Sequence, residues 1–233
     1  MTFKITAAAI LLSLTWPAPA ETLAEIKTSL VYEYYEVALD ENDSLSKSVF
    51  SATPIFHNGG KFAGRTNCKT RYNYTFSRPS IGMCRVKTLT VTCDCTITLP
   101  RLTNGDAEAR HNFKLYLLRL DEHERRHSDI AIDHANRIEA SLGEVGQMKC
   151  EDLAGEMKAR YDRIYEESRS AQARYDHQTR HGKYEGADIT KYDVRQDQPP
   201  PSGSGAGDQR LTNPDNSGGS GIYQDADGVW RNY

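Results

Sequence analysis

The sequence predicts an α+β domain in which a small antiparallel sheet packs on two long helices that run antiparallel to each other. Three observations carry this reading. Alternation of period two dominates up to Pro100, helical spacing takes over from about Asp106, and only a short connection separates the two helical stretches. The chain divides into a leader at residues 1–20, a domain at 21–190 and a tail at 191–233.

The leader reads as a signal peptide. Lys4 supplies a positive start, Ile5 to Trp16 a short apolar run, and Ala18-Pro19-Ala20 the small residues that a signal peptidase reads. The run is shorter than the roughly 20 residues that span a bilayer, and no later segment is apolar enough to do so. The expectation is a periplasmic or secreted protein with no stable membrane insertion after cleavage. With 29 basic and 32 acidic residues and a formal net charge of −3, the chain gives no reason to expect nucleic acid or an anionic membrane as partner. All five cysteines, Cys68, Cys84, Cys93, Cys95 and Cys150, follow the leader. In an oxidising compartment they predict disulfides with one thiol left over. Cys93 and Cys95 share one face of a strand, so they should find different partners.

Ser29 to Leu39 is rich in tyrosine and valine and reads as the first strand. Asp43 or Ser44 can cap a short helix that runs toward Ala52 and stops before Pro54. His57-Asn58-Gly59-Gly60 and Gly64 mark loops. Two alternating runs follow, joined through Ser77 to Gly82. In the first, Cys68, Thr70, Tyr72, Tyr74 and Phe76 share a face. In the second, Leu89, Val91, Cys93, Cys95, Ile97 and Leu99 do. A long helix is predicted over Asp106 to Leu142, with Leu120, His123, His127, Ile130, His134 and Ile138 as one stripe and Gly143 as its stop. A second is predicted over Glu151 to Tyr175, with Leu153, Met157, Tyr161 and Ile164 on a common face. Beyond Lys191, Pro199-Pro200-Pro201 and a Gly/Ser/Asp/Asn-rich stretch predict a disordered tail.

The chemistry concentrates in His123-Glu124-Arg125-Arg126-His127. Two histidines four apart on a helix project from adjacent turns and can present two imidazole nitrogens to one ion. Glu124 lies about 100° round the helix, beside the metal and not on it, where it can take a proton from a water that zinc has acidified. The polar run from Asp121 to His127 is a poor core stripe and a good functional face; Arg125 and Arg126 read as its solvated side. A catalytic zinc site needs a third protein ligand. Asp133 stands where one class of such enzymes places it, but the glycine turn that class requires is replaced by Ile130. His134 on an unbroken helix lies about 10 Å along the axis from His127, too far to share an ion. Spacing on the second helix offers Glu166 or Glu167, and the segment after it offers His181.

These residues resemble a proteobacterial family described as predicted secreted zinc-dependent proteases, long catalogued as a domain of unknown function. The likeness is carried by the H-E-R-R-H helix, by the preceding strand ending in Thr98-Leu99-Pro100, and by the D-x-x-T-x-H-G segment from Asp176 to Gly182 followed by Gly186. It covers roughly Val31 to Gly186. The resemblance implies a zincin-like peptidase, and its histidine near the domain end favours His181 over Glu167 as third ligand.

The functional expectation is a zinc-dependent peptidase that hydrolyses peptide bonds, with His123, His127 and His181 on Zn²⁺, Glu124 as the base, and a peptide or protein as substrate. The strand Thr88 to Leu99, as a sheet edge, would hold the substrate backbone. The alternative is a non-catalytic envelope protein with a structural metal or a helical-pair interaction module, in which Glu124 has no task. If the leader reading holds, N-terminal sequencing of the mature protein begins at Glu21; recovery of Met1 from the cytoplasm refutes it.

Overall fold

Strand order follows from one long strand that both neighbours use. The computed structural model describes residues 22–40, 42–57, 59–193, 222–224 and 230–232. The leader and most of the segment after Asp193 lie outside these residues. Strand β1 is Leu23–Val37, helix α1 Leu45–Ala52, β2 Phe56–His57, β3 Gly60–Lys61, β4 Arg65–Ser80 and β5 Met83–Leu102. Helix α2 is Ala107–Gly143, β6 Met148–Lys149 and α3 Cys150–Thr179, followed by short 3-10 turns at Lys183–Glu185 and Ile189–Tyr192. Near the C-terminus Ile222–Gln224 pairs antiparallel with Trp230–Asn232, and the rest of the stretch predicted to be a disordered tail after Asp193 lies outside the described residues.

β5 is central. β4 pairs with it antiparallel, Cys68 opposite Cys95, and β1 pairs with its other side in parallel, Leu23 opposite Thr88 through Val37 opposite Leu102. The sheet is therefore mixed, and the predicted all-antiparallel sheet is corrected. Period two marks a strand without fixing its neighbour's direction. Here the chain from Val37 to Met83 passes through α1 and β4, which gives the long return that a parallel pair needs. The expectation that Thr88 to Leu99 forms an edge fails for the same reason, since β5 is hydrogen-bonded on both sides. β1 and β4 are the long outer strands. The predicted connection at Ser77 to Gly82 shrinks to a turn at Ile81-Gly82, with Gly82 at φ 73°. Pro79 is tolerated inside β4 because this is an outer strand with a register shift nearby.

The inward face of β5 carries the alternation read from the sequence: Val91, Cys93, Cys95, Ile97 and Leu99 are all buried. They feed two apolar clusters. One joins the first half of β5 to Ala131, Ala135, Ile138 and Leu142 of α2 and to Leu153, Met157 and Ile164 of α3. The other joins Ile97 and Leu99 to Val37, to Leu45 and Val49 of α1, and to Phe113, Tyr116, Leu117 and Leu120 of α2. The stripe on α2 therefore differs from the prediction beyond the motif. Ala131 and Ala135 face the core where Ile130 and His134 were expected, because small residues let a helix sit close to both a sheet and a second helix. Asp106 caps α2 by accepting from Ala109 N, and Ser44 caps α1 by accepting from Lys47 N.

Cys68 and Cys95 are bonded across β4 and β5, and Cys84 is bonded to Cys150, which joins the start of β5 to the first residue of α3. Cys93 is the free, buried cysteine, and its Sγ lies 4.0 Å from that of Cys95. No helix among the described residues is long and apolar enough to cross a membrane. The Cys84–Cys150 bond spans 66 residues. Loop-closure entropy gives it about 4 kcal/mol, against somewhat less for the 27-residue span of Cys68–Cys95. Replacing Cys84 and Cys150 together by serine should lower the denaturant midpoint accordingly, while thiol titration of the unfolded wild type should find one free group. An unchanged midpoint, or five titrating thiols, contradicts this arrangement.

Candidate metal centre

The two turns of α2 around Leu120 to Ser128 sit where the two apolar clusters meet, which is why a polar run lies inside the molecule. His123 and Glu124 are only 3% and 5% exposed. As neighbours on a helix they point about 100° apart. Glu124 points at β4 and the two histidines point at α3. Asp121 is buried as well and forms an ion pair with Arg125 at 2.9 Å. The Arg125 guanidinium in turn lies 5.7 Å from the Tyr32 ring centre, so Arg125 belongs to the packed side of the helix and Arg126 alone to the solvated one.

Glu124 is held by Thr66, whose Oγ1 lies 2.8 Å from both the Oε2 and the backbone oxygen of that glutamate. Burial pushes the carboxyl of Glu124 above its ordinary range, against the opposing pull of Thr66 and the histidines. Gly64 makes room for it. A Cβ at this position would meet Glu124 Oε1 at 2.8 Å and Leu120 Cδ1 at 2.9 Å.

The imidazoles are oriented from both ends. His123 Nδ1 lies 2.9 Å from Glu185 Oε2, and His127 Nδ1 is bonded to Gln172 Oε1. Gln172 Nε2 donates to the His127 backbone oxygen, which can only accept, so the amide oxygen is the atom that faces the ring. Both Nδ1 atoms thus meet acceptors, and in the tautomer that suits a metal they carry the protons. Both Nε2 atoms are left as lone-pair donors, and both point at Asp176 Oδ1, at 3.4 Å from His123 and 3.0 Å from His127. In that tautomer three electron-pair donors face one another, an arrangement that can accept a cation between them. Ligand atoms of His123, His127 and Asp176 all lie within 4.8 Å of one another, a group that can hold a metal ion. The proton affinities express the same demand. Burial alone would raise the Asp176 carboxyl, but with protons on the Nε2 atoms in place of a metal, hydrogen bonds from His123 and His127 and the positive charge of His127 and His181 hold it well below the ordinary carboxylate range. Burial likewise opposes charge on His127, yet Asp176 and Gln172 leave it more basic than a free imidazole. Tyr175 stacks on His123 at 4.9 Å, meets His127 edge-on at 5.0 Å, and donates to Glu185, closing the group from the α3 side.

His181 lies beside this group. Its Nδ1 is 3.3 Å from Asp176 Oδ1, its side chain is 57% exposed, and its ring meets Phe62 edge-on at 5.2 Å. Glu166 and Glu167 are elsewhere: Glu166 is exposed and paired with Arg169, and the half-buried Glu167 pairs with Arg163 of its own helix and Arg137 of α2. Asp133 is exposed on α2, and His134 bonds its own helix at Ile130 O. The level at which α3 meets the motif explains why the glutamates miss it. β6 pairs with the start of β5, so α3 begins beyond the end of α2, and Gln172 rather than Glu166 comes opposite His127. Sequence reasoning passed over Gln172, Asp176, Glu185 and Thr66. A signal existed for the first two: Gln172 and Asp176 are four apart, the same single-face spacing as His123 and His127. The Asp176 to Gly182 segment also acquires a physical meaning. Asp176 faces the imidazoles, and Thr179 Oγ1 accepts from Gly182 N. Gly182, at φ 78°, passes so close to His123 that a Cβ would meet its Cγ at 2.9 Å.

Residues 32–182 match the family described as "Bacterial protein of unknown function (DUF922)". The chain belongs to this bacterial family. No curated protein and no solved structure matches the chain. The matched stretch contains both histidines, Glu124 and Asp176 and ends at Gly182; Glu185, the partner of His123, lies just beyond it.

In a chelator-competition titration, His123→Ala, His127→Ala and Asp176→Ala should each lower metal affinity by orders of magnitude. Glu185→Gln should lower it about 10–100-fold, the usual cost of losing a group that orients a ligand. His181→Ala should cost less than Asp176→Ala. The reverse order would give the third position to His181.

Proposed function

We propose that this protein is an exported zinc-dependent peptidase, with His123, His127 and Asp176 on the metal and Glu124 as the general base. The carrying observation is a buried carboxyl in the wall of the same cleft as a two-histidine, one-carboxylate group. Two imidazoles and one carboxylate suit zinc and leave a coordination position open, as in catalytic sites; purely structural zinc sites are closed by four ligands. A structural metal would need neither an open cleft nor Glu124, which favours the enzymatic reading over a non-catalytic envelope protein. The disulfides fit export. His181, at the cleft mouth and against Asp176, is placed to hydrogen-bond the ligand carboxylate or a substrate oxygen.

Zinc bound there supplies Lewis-acid chemistry, polarising a carbonyl and acidifying water. The chain's own groups do the rest. Glu124, held at one oxygen by Thr66 and raised in proton affinity by burial, takes the proton of the attacking water and passes it to the departing amine. An extended substrate can pair with the outer edge of β4, whose Arg65 and Thr66 line the cleft, and not with β5 as the sequence suggested.

Glu124→Gln should retain zinc, because the residue is not among the converging donors, and lose about 10²–10⁴-fold in turnover. Metal analysis of wild type and variant, together with a peptide hydrolysis assay, checks this. Full turnover by the zinc-loaded variant would remove Glu124 from the mechanism.

A further inference from the structure

The cleft beside the metal group has a volume of about 490 Å³ and two walls of different origin. One comes from α1 and the β2–β4 region and the other from the end of α3 and the turns after it, and they touch where Phe62 meets His181. Its inner surface is apolar: Ile55 and Ile189 are buried there at 3% and 2% exposure, and Phe50 stands at the opening. Its rim is cationic. Lys61 and Arg65 stand on one wall, Arg180 and Lys183 on the other, all exposed.

None of these four cations is ion-paired with a carboxylate among the described residues. The helices behave differently, matching Arg119 with Glu122, Arg160 with Glu156 and Arg163 with Glu167. The cleft's own acids are turned away from these four cations. Asp188 is engaged with Thr190 N and Oγ1, and Asp176 and Glu124 face the metal group. In a chain of net charge −3, the four cations still outnumber the three acids that line the cleft, and they stand at its opening while Glu124 and Asp176 lie deeper beside the histidines.

We propose that the cleft takes peptides bearing a carboxylate next to a large apolar residue. The apolar side chain seats against Phe50, Ile55 and Ile189, and the carboxylate is held at the rim by Arg65, Arg180 and Lys183. Two rim arginines offer planar forks that a carboxylate can meet with paired hydrogen bonds. The carboxylate can belong to an acidic side chain or to a peptide C-terminus, since the rim recognises the same group in both. The inference rests on the peptidase reading for the nature of the substrate, but its test requires no turnover.

Zinc-loaded Glu124→Gln protein would be titrated by fluorescence anisotropy with three fluorescein-labelled peptides sharing one leucine-containing core. The first has glutamate beside the leucine and an amidated end, the second glutamine and an amidated end, the third glutamine and a free C-terminus. One of the two carboxylate peptides should bind about tenfold tighter than the neutral one, and which of them does so identifies the carboxylate's source. The advantage should fall severalfold in the Arg65→Gln, Arg180→Gln double variant and at about 0.5 M salt. Equal binding of all three, binding of none, or a preference that survives the double substitution overturns the proposal. If the preference holds while wild-type protein hydrolyses none of the peptides, the peptidase reading fails and the carboxylate recognition stands.

Discussion

Helix α2 addresses two layers of the fold within two turns, and the candidate site depends on that. A rigid helix fixes the angle between successive side chains at about 100°, so once His123 is aimed at α3, Glu124 is aimed at the sheet. Sheet and second helix then each supply what completes the residue facing them. Thr66 of β4 holds the glutamate, and Gln172 and Asp176 of α3 hold the histidines. Any rotation of α2 about its axis would break both sets together. The two apolar clusters prevent it, one gripping the helix through Phe113, Tyr116 and Leu120 and the other through Ala131, Ala135 and Ile138.

The glycines show how tightly this is drawn. Gly64 and Gly182 approach the helix from opposite layers, one against Glu124 and the other against His123, and each leaves no room for a methyl group. Backbone at these points substitutes for side chain, so the two functional residues are confined without a polar partner being spent on every contact. Glu185 and Tyr175 add a polar closure on the histidine side.

Much of this was legible in the sequence. The alternation in Leu89 to Leu99, the caps at Ser44 and Asp106, the helical pair and the His123-Glu124-His127 constellation all depend on spacing along one segment, and spacing is what a sequence records. The misreadings concern relations between segments. β1 runs parallel to β5 because of a long return through α1 and β4, which no residue in β1 announces. The residue opposite His127 depends on where α3 starts, and that is set by β6 pairing and the Cys84–Cys150 bond, not by counting through the connection. A shift of this kind separates Glu166 from Gln172 and brings Asp176 to face the two imidazoles. Glu185 could not be read at all, since it reaches His123 only after the chain reverses at Arg180 to Gly182, three successive residues with positive φ.

The anchoring of α3 has a consequence for the site. Its first residue is Cys150, bonded to the sheet, and the residue that faces His123 and His127 is Asp176, about 40 Å further along the axis at helical rise. The helix is held at that end by a bond that reducing conditions do not permit, and along its length by Leu153, Met157 and Ile164 in the core. A small angular freedom at the anchor becomes a large displacement at the tip, where donor atoms must agree to within a fraction of an ångström. The bond at the far end of α3 thus contributes to the aim of the Asp176 carboxylate at the two imidazoles.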